Sequence, residues 1–472
     1  MKRLSILLPV AILMTTGIAY AGPVTHDRAA TVARNFYGGL PDIKGDGTLA
    51  MRNAEWQFDG IYLFTVDGGG YVMVSADDAT RPILGYSAHS VIDPADLPPA
   101  LEQWLAAYQR QIDTLRAHNA QGYADGIAEW ELLLAGTPAK DGSHNPVVGP
   151  LIATRWDQQS PYNMFCPGET VTGCAATAQA QLMKYWNHPT IGLGSHSYIH
   201  SRYGEQSADF GHTVYDWANM PNQPTQVSPY EQRAAVAQLM YHCGVSLEMN
   251  YATANEGGSA AVNYVDEPGF ASSNNSLRNY FHYSPSLHSI IKMMGYTNDQ
   301  WREKLTDELD LLHPILYSGQ ATQGGHAFVC DGYDDHGYIH FNFGWSGRGD
   351  GFFPVDSISP GVGGVGGNVT YTFNDVNVAV IGIAPVYDIL LSDTIFYLGR
   401  QEWGDSLLYS TDPTDSATLS ISCDADWLTL EYDAANTIGW LSMQASANES
   451  NAERSAIVTF VQGDHMMTVT II

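Results

Sequence analysis

The sequence predicts an α+β chain in which two successive units of mixed helix and strand precede an all-β sandwich. Three observations predict it. Residues 22–140 and 151–385 each combine helical apolar spacing with β-rich runs. A stretch rich in Gly, Pro and polar residues, GTPAKDGSHNPVVGP at 136–150, lies between them. From about 386 the helical spacing disappears, and short β-rich runs alternate with turn-forming clusters. The length of 472 residues allows about two to four domains, and 44% apolar residues is a globular composition. Only 15% of residues are charged, with 50 acids against 21 bases. A net charge of −29 argues against a nucleic-acid partner and against an anionic membrane surface. Five cysteines are too few for a disulfide scaffold, and the odd count leaves at least one thiol free or paired with another chain.

The elements follow in order. Lys2 and Arg3 precede the apolar run Leu4 to Ile18, and Ala19-Tyr20-Ala21 fits a small-x-small cleavage site. Residues 1–21 are therefore expected to be an export signal cut after Ala21, giving a soluble secreted or cell-surface protein. An uncleaved anchor is the plain alternative. Residues 25–37 have the spacing of a short amphipathic helix. Trp56 to Ser75 reads as two β-rich runs joined at Gly68-Gly69-Gly70. Pro98-Pro99 opens a helix with Leu101, Trp104, Leu105, Tyr108, Ile112 and Leu115 on one face. The 136–150 stretch reads as an exposed linker open to proteolysis, with 141–150 as its separable part. Helices are expected at 174–186, 228–244 and 299–312, with strands at Ala327–Cys330, Tyr338–Asn342 and Val378–Ile383. Gly361 to Gly367 lacks the Lys-Ser/Thr of a phosphate-binding loop and reads as a surface loop. Residues 386–472 read as a small sandwich.

Within the second unit, one constellation can carry chemistry. Thr172-Gly173-Cys174 opens a run of good helix formers that Asn187-His188-Pro189 stops. A thiol at a helix N-terminus lies near the positive end of the dipole, which favours the nucleophilic thiolate. The plain alternative is a small buried hydrophobe. A thiolate nucleophile needs a base, and Gly324-Gly325-His326 places an imidazole between glycines and an apolar strand. His326 lies far downstream of Cys174, in the order of a papain-like arrangement where the two meet only in space. Its alternative is a core histidine with its hydrogen bonds satisfied. Asn342, at the end of the next strand, could accept from the imidazole, and Trp345 could shield that bond. Gln158, upstream in Trp156-Asp157-Gln158, could donate to an oxyanion beside the Cys174 N–H. A surface amide and a turn residue are the plain alternatives for Gln158 and Asn342.

These residues and their surroundings resemble the streptopain family of secreted cysteine peptidases. The blocks WDQQSPYN, TGCAATAQAQLMKYWNHP, QLMYHCGVSLEMNY, GGHAFVCDGYD and FNFGWSGRGDGFF carry the resemblance across roughly 150–385. GYVMVSADDATRPILGYS and its following helix resemble that family's inhibitory propeptide. The resemblance implies a papain-like two-lobed peptidase domain, preceded by a small α+β propeptide and followed by the sandwich. It implies an endopeptidase made as a zymogen, with no cofactor. Cys174 would attack within a thiolate–imidazolium pair, with Gln158 in the oxyanion hole. The family preference for a hydrophobic residue just before the cleaved one carries over only weakly. Partners would be protein or peptide substrates and the chain's own propeptide at 22–140, released by a cut near Lys140-Asp141. One departure stands out. Phe343-Gly344-Trp345 replaces the family's Trp-Gly-Trp, which would alter activity if that first ring covers the imidazole.

Other signals are weaker. The C-terminal unit loosely resembles BACON-type modules through Trp427, Trp440 and Asn448…Arg454. Its tryptophans could stack on glycans or a cell surface, although such residues are more often core. His196 and His200 have metal spacing only on a helix, and SHSYIHSRY reads as extended or irregular. Asp331, Asp334, Asp335 and Asp350 lack EF-hand spacing for calcium. Two other functions fit the same residues. One is a non-catalytic surface adhesin on a retired peptidase domain, and the other a transglutaminase-like thiol acyltransferase.

Overall fold

The computed structural model describes residues 22–41, 43, 51–136, 144–321, 324–355, 376–398, 403–412, 415–450 and 452–472. The expected export signal, the Lys140-Asp141 bond and the Gly361–Gly367 loop lie outside them.

The first unit holds helix α1 (His26–Gly38), strands β1 (Met51–Ala54), β2 (Ile61–Val66), β3 (Tyr71–Ser75) and β4 (Ile83–Ser87), and helices α2 (Pro99–Ala117) and α3 (Ala124–Ala135). Thr25 caps α1 with its side chain. Gly68, Gly69 and Gly70 turn the β2–β3 hairpin at φ of 95°, 117° and 108°, a region that disfavours residues with a Cβ. Helix α3 was not expected from the sequence. Its single buried tryptophan, Trp130, gives it only a narrow apolar face.

The second unit begins with β5 (Pro146–Val148) and α4 (Cys174–Trp186), then β6 (Ser195–His200) and β7 (Gly204–Asp209). Next come α5 (Tyr230–Ser246), α6 (Ser273–Asn279), β8 (His288–Ile291) and α7 (Asn298–Asp310). The strands β9 (Ile315–Ala321), β10 (Gly324–Asp334), β11 (Ile339–Asn342), β12 (Gly351–Phe353) and β13 (Val376–Ile381) close it. One lobe is helical. Its core packs Leu182 and Met183 of α4 against Leu239, Met240 and Cys243 of α5. The other lobe is the sheet, backed by Trp301, Leu305 and Leu309 of α7. Of the run expected to be extended or irregular, residues 195–200 form a strand.

Two features depart from the sequence reading. First, the two units share one sheet. Its order is β1-β2-β3-β4-β12-β11-β10-β9-β13-β8, with β5 also on β10, eleven strands in all among the described residues. Tyr86 of β4 faces Phe352 of β12 at the junction. The apolar face of α2 is shared in the same way. Trp104 lies 5.1 Å, ring to ring, from Phe341 of β11, and the Tyr108 hydroxyl donates to the Pro354 carbonyl at 2.7 Å.

Second, the end of the linker is exposed as expected over 145–147 and 149–150, but its backbone is paired with the sheet. Val148 pairs with Tyr333 and Pro146 with Asp334. His144 is 3% exposed and its Nδ1 lies 2.5 Å from Asp334 Oδ2. The physical reason is a backbone-to-backbone approach: a Cβ on Gly149 would sit 2.6 Å from the Gly332 Cα. Only a glycine at both places lets this segment lie against β10.

The C-terminal unit comprises β14 (Leu390–Leu391), β15 (Ile395–Phe396), β16 (Trp403–Ser410), β17 (Ser420–Cys423), β18 (Leu428–Glu431), β19 (Ile438–Ala445), β20 (Ala456–Gln462) and β21 (His465–Ile471). They form two four-stranded sheets, β14-β16-β19-β18 and β15-β21-β20-β17. Alternate residues such as Leu441, Met443, Val458 and Phe460 point inward to its own core.

Candidate active site

Helix α4 starts at Cys174 because Gly173 can hold φ 89°, ψ 142°. A Cβ there would strike Met249 Sδ at 2.7 Å. The loop before it is pinned: the Thr172 N–H donates to the Gln158 carbonyl at 3.0 Å, and the Thr177 hydroxyl donates to the Gly173 carbonyl. Strand β10 crosses the helix end, and the Ala327 N–H donates to the Cys174 sulfur at 3.4 Å. The segments carrying Cys174 and His326 therefore meet at the helix N-terminus.

The electrostatics differ from the dipole expectation. Burial pushes the Cys174 thiol above its ordinary value. The backbone amides of Ala327, Ala175 and Cys174 pull it down, but they do not overcome the loss of water. Burial also pushes the His326 imidazole below its ordinary value. Both shifts favour the neutral forms. Among the described residues, no hydrogen bond joins His326 to Cys174.

The orienting role expected of Asn342 is not what the structure shows. Its Nδ2 donates to the Thr154 carbonyl at 2.8 Å. Its Oδ1 accepts from Gln181 Nε2 at 3.1 Å and from the Gly344 N–H at 3.0 Å. Thr154 Oγ1 closes the network on Gln181 Oε1 at 2.8 Å. Asn342 thus ties α4 to β11 and does not bond the imidazole. The register gives the reason. Asn342 faces Val329, three residues or roughly 10 Å of strand beyond His326.

Phe343 does not stand alone over the site. It is buried among Phe328 (5.2 Å), Phe353 (5.8 Å) and Phe341 (6.2 Å), the aromatic layer shared with α2. Trp345 sits in the turn that follows, half-buried, with its indole N–H buried and unpartnered among the described residues. Gln158 lies beside the Cys174 loop through its carbonyl, and its side chain is half-exposed. Sequence reasoning missed Gln181 and Thr154, polar residues in apolar surroundings. For Gln181 the signal was present in a helix that buries two glutamines, Gln179 and Gln181, among alanines, Leu182 and Met183.

The remaining candidates resolve separately. Asp331 Oδ1 lies 2.6 Å from His340 Nδ1, and its other oxygen accepts from the Ile152 N–H. Asp334 accepts from the Tyr86 hydroxyl at 2.7 Å and contacts His144. Asp335 holds Asn145, and Asp350 accepts from the Phe343 N–H. The four acids thus serve four different partner sets. His196 contacts Glu248, while His200 accepts from the amides of Arg202 and Tyr203. All five cysteines are free thiols. In the C-terminal unit the Arg454 guanidinium lies 4.1 Å over the Trp427 ring, and Trp440 is 55% exposed.

Comparison with known proteins agrees with this architecture. Residues 156–353 match the Peptidase C10 family, 21–112 the Spi protease inhibitor family, and 416–472 the BACON family, described as a putative binding domain. The thiol protease/hemagglutinin PrtT of Porphyromonas gingivalis is 31% identical over 414 residues, covering 82% of this chain and 44% of that protein. The chain therefore spans less than half of PrtT's length. Streptopain of Streptococcus pyogenes is 31% identical over 371 residues, 73% of this chain and 85% of streptopain. A fragment of Prevotella intermedia prointerpain A superposes with a TM-score of 0.54 at 30% identity. It covers 71% of this chain and 99% of the fragment.

Proposed function

We propose, from the premise that this chain belongs to the Peptidase C10 family of cysteine peptidases, that it is a secreted endopeptidase held inactive as a precursor. The observation that carries this reading is the Ala327 N–H on the Cys174 sulfur, which seats the strand of His326 against the nucleophile's helix. The neutral state that burial favours for both groups fits a site not yet active.

In the working enzyme Cys174 attacks the scissile carbonyl, and the Cys174 N–H and the Gln158 amide hold the oxyanion. His326 passes the thiol proton to the leaving amine. Water, deprotonated by His326, then hydrolyses the thioester and frees the acid and the thiol. Residues 22–140 act as the intramolecular inhibitor, the cut falls near Lys140-Asp141 ahead of the paired β5, 151–385 act as the peptidase and 386–472 as a surface-contact module. A hydrophobic residue just before the cleaved one is the favoured substrate feature. If the last module stacks on glycan, Trp440 offers an open ring, whereas one face of Trp427 is already covered by Arg454.

The test incubates purified precursor, and its Cys174→Ala variant, with casein and maps new termini by mass spectrometry. Cleavage of casein and of the 136–150 region by the wild type alone is expected. Casein left intact by a precursor already cut at the linker refutes the reading. Amine incorporation exceeding hydrolysis would favour the acyltransferase.

A further inference from the structure

We propose that Asp157 is a positioning residue that sets the oxyanion donor Gln158. This rests on the reading of Gln158 given above and assigns the control of that site. Asp157 is 9% exposed. Its Oδ1 accepts from the backbone N–H of Gln158 at 2.6 Å and of Gln159 at 3.1 Å. Those two bonds alone make an ordinary Asx turn. What goes beyond a turn is the other oxygen: Oδ2 accepts from the Ser346 hydroxyl at 2.6 Å. Ser346 follows Trp345, far along the chain, and its own N–H donates to the Trp156 carbonyl at 3.0 Å.

The backbone of 156–158 is thus clamped from both sides. On one side the Gln158 carbonyl receives the Thr172 N–H, two residues before the nucleophile. On the other, Asp157 and Trp156 hold the turn of Trp345. The Gln158 side chain has no hydrogen bond of its own among the described residues, so its aim is inherited from the backbone. A carboxylate accepting three donors is a stiff anchor. An oxyanion hole gains most when its donors are fixed before charge develops. Asp157 contributes by holding that donor still and does not touch substrate.

Processed enzymes carrying Asp157→Ala, Gln158→Ala and both are compared on a peptide substrate, with active sites counted by Cys174 alkylation. Gln158→Ala is expected to lower kcat by about 100-fold, the usual cost of losing one oxyanion donor. Asp157→Ala is expected to lower kcat by roughly 10-fold with KM little changed, as for an interaction made in the transition state. The double variant is expected to be no slower than Gln158→Ala, because residues acting as a unit are not additive. Asp157→Asn keeps an acceptor for both amides and is expected to restore most of kcat. Iodoacetamide alkylation, which forms no oxyanion, is expected to be unchanged by Asp157→Ala.

Losses that multiply in the double variant, or an equal loss in alkylation, overturn the positioning role and leave Gln158 as the donor. Wild-type kcat in Gln158→Ala removes the oxyanion reading and the proposal with it. Should Asp157→Ala fail to fold, Ser346→Ala cuts only the cross-loop bond. It is expected to lower kcat in the wild-type background and not in Gln158→Ala, and equal losses in both backgrounds refute the proposal.

Discussion

Replacing Trp104 by alanine should loosen the first unit from the peptidase more than any other single truncation in α2. The ring is 1% exposed. It lies 5.1 Å from Phe341, 6.4 Å from Phe353 and 6.5 Å from Tyr317, all on the far side of the linker. Truncating a buried tryptophan costs about 3–5 kcal/mol. At about 1.4 kcal/mol per tenfold, 3 kcal/mol is more than a hundredfold in the equilibrium that holds the unit in place. The assay uses the full chain carrying Cys174→Ala, which removes the thiol proposed to drive maturation, unfolded in urea and followed by far-ultraviolet circular dichroism. The sandwich has a separate core and serves as an internal control. The transition of the joined units should fall by the stated amount while the sandwich transition stays. A drop below about 1 kcal/mol, smaller than a core truncation gives, would refute the idea that the two units share a load of apolar packing.

Two further expectations concern protons. Burial raises the Cys174 thiol in the precursor, so its alkylation rate should reach half-maximum above the ordinary value of about 8.5. On the proposed activation the half-point should fall after processing; a half-point of the uncut chain below an ordinary thiol's contradicts the burial argument. Asp350 is pushed up to about 7, chiefly by burial, against the pull of the Phe343 amide and His340. An unfolded aspartate titrates at about 3.9, so between these values the native state keeps a proton that the unfolded state has lost. Stability contributed by this group is full below about 4 and is lost as pH rises through about 7. Asp350→Asn in the Cys174→Ala precursor should flatten that decline, and urea midpoints at mildly acidic and mildly alkaline pH measure it; an unchanged slope rejects it.

The parts legible in the sequence were those set by local rules. The helix opening at Cys174, the hairpin at Gly68–Gly70 and the α2 face of Leu101, Trp104 and Tyr108 all follow from spacing and turn chemistry. What the sequence hid was register and partnership. Asn342 and His326 occupy neighbouring strands, but a shift between Cys330 and Gly332 sets which residues face one another. No pattern in the letters reports that shift. The tail of the linker looked unstructured because β5 has no partner until β10 passes beside it. The thiol's proton affinity went the other way from the dipole argument because burial depends on chains that arrive from elsewhere in the fold.

If the chain is activated by cutting, as proposed, the continuity of the sheet through Tyr86 and Phe352 bears on how that activation becomes permanent. Once the connecting peptide is severed, the first unit still fits a bare strand rim and an aromatic trough shaped to receive it. Scission by itself is therefore a loosening, and the detached piece remains a competitor at its own berth. Only its further digestion, or its dilution, would turn the event into a ratchet. The enzyme's appetite for its former cover would then govern how fast a population of molecules switches on.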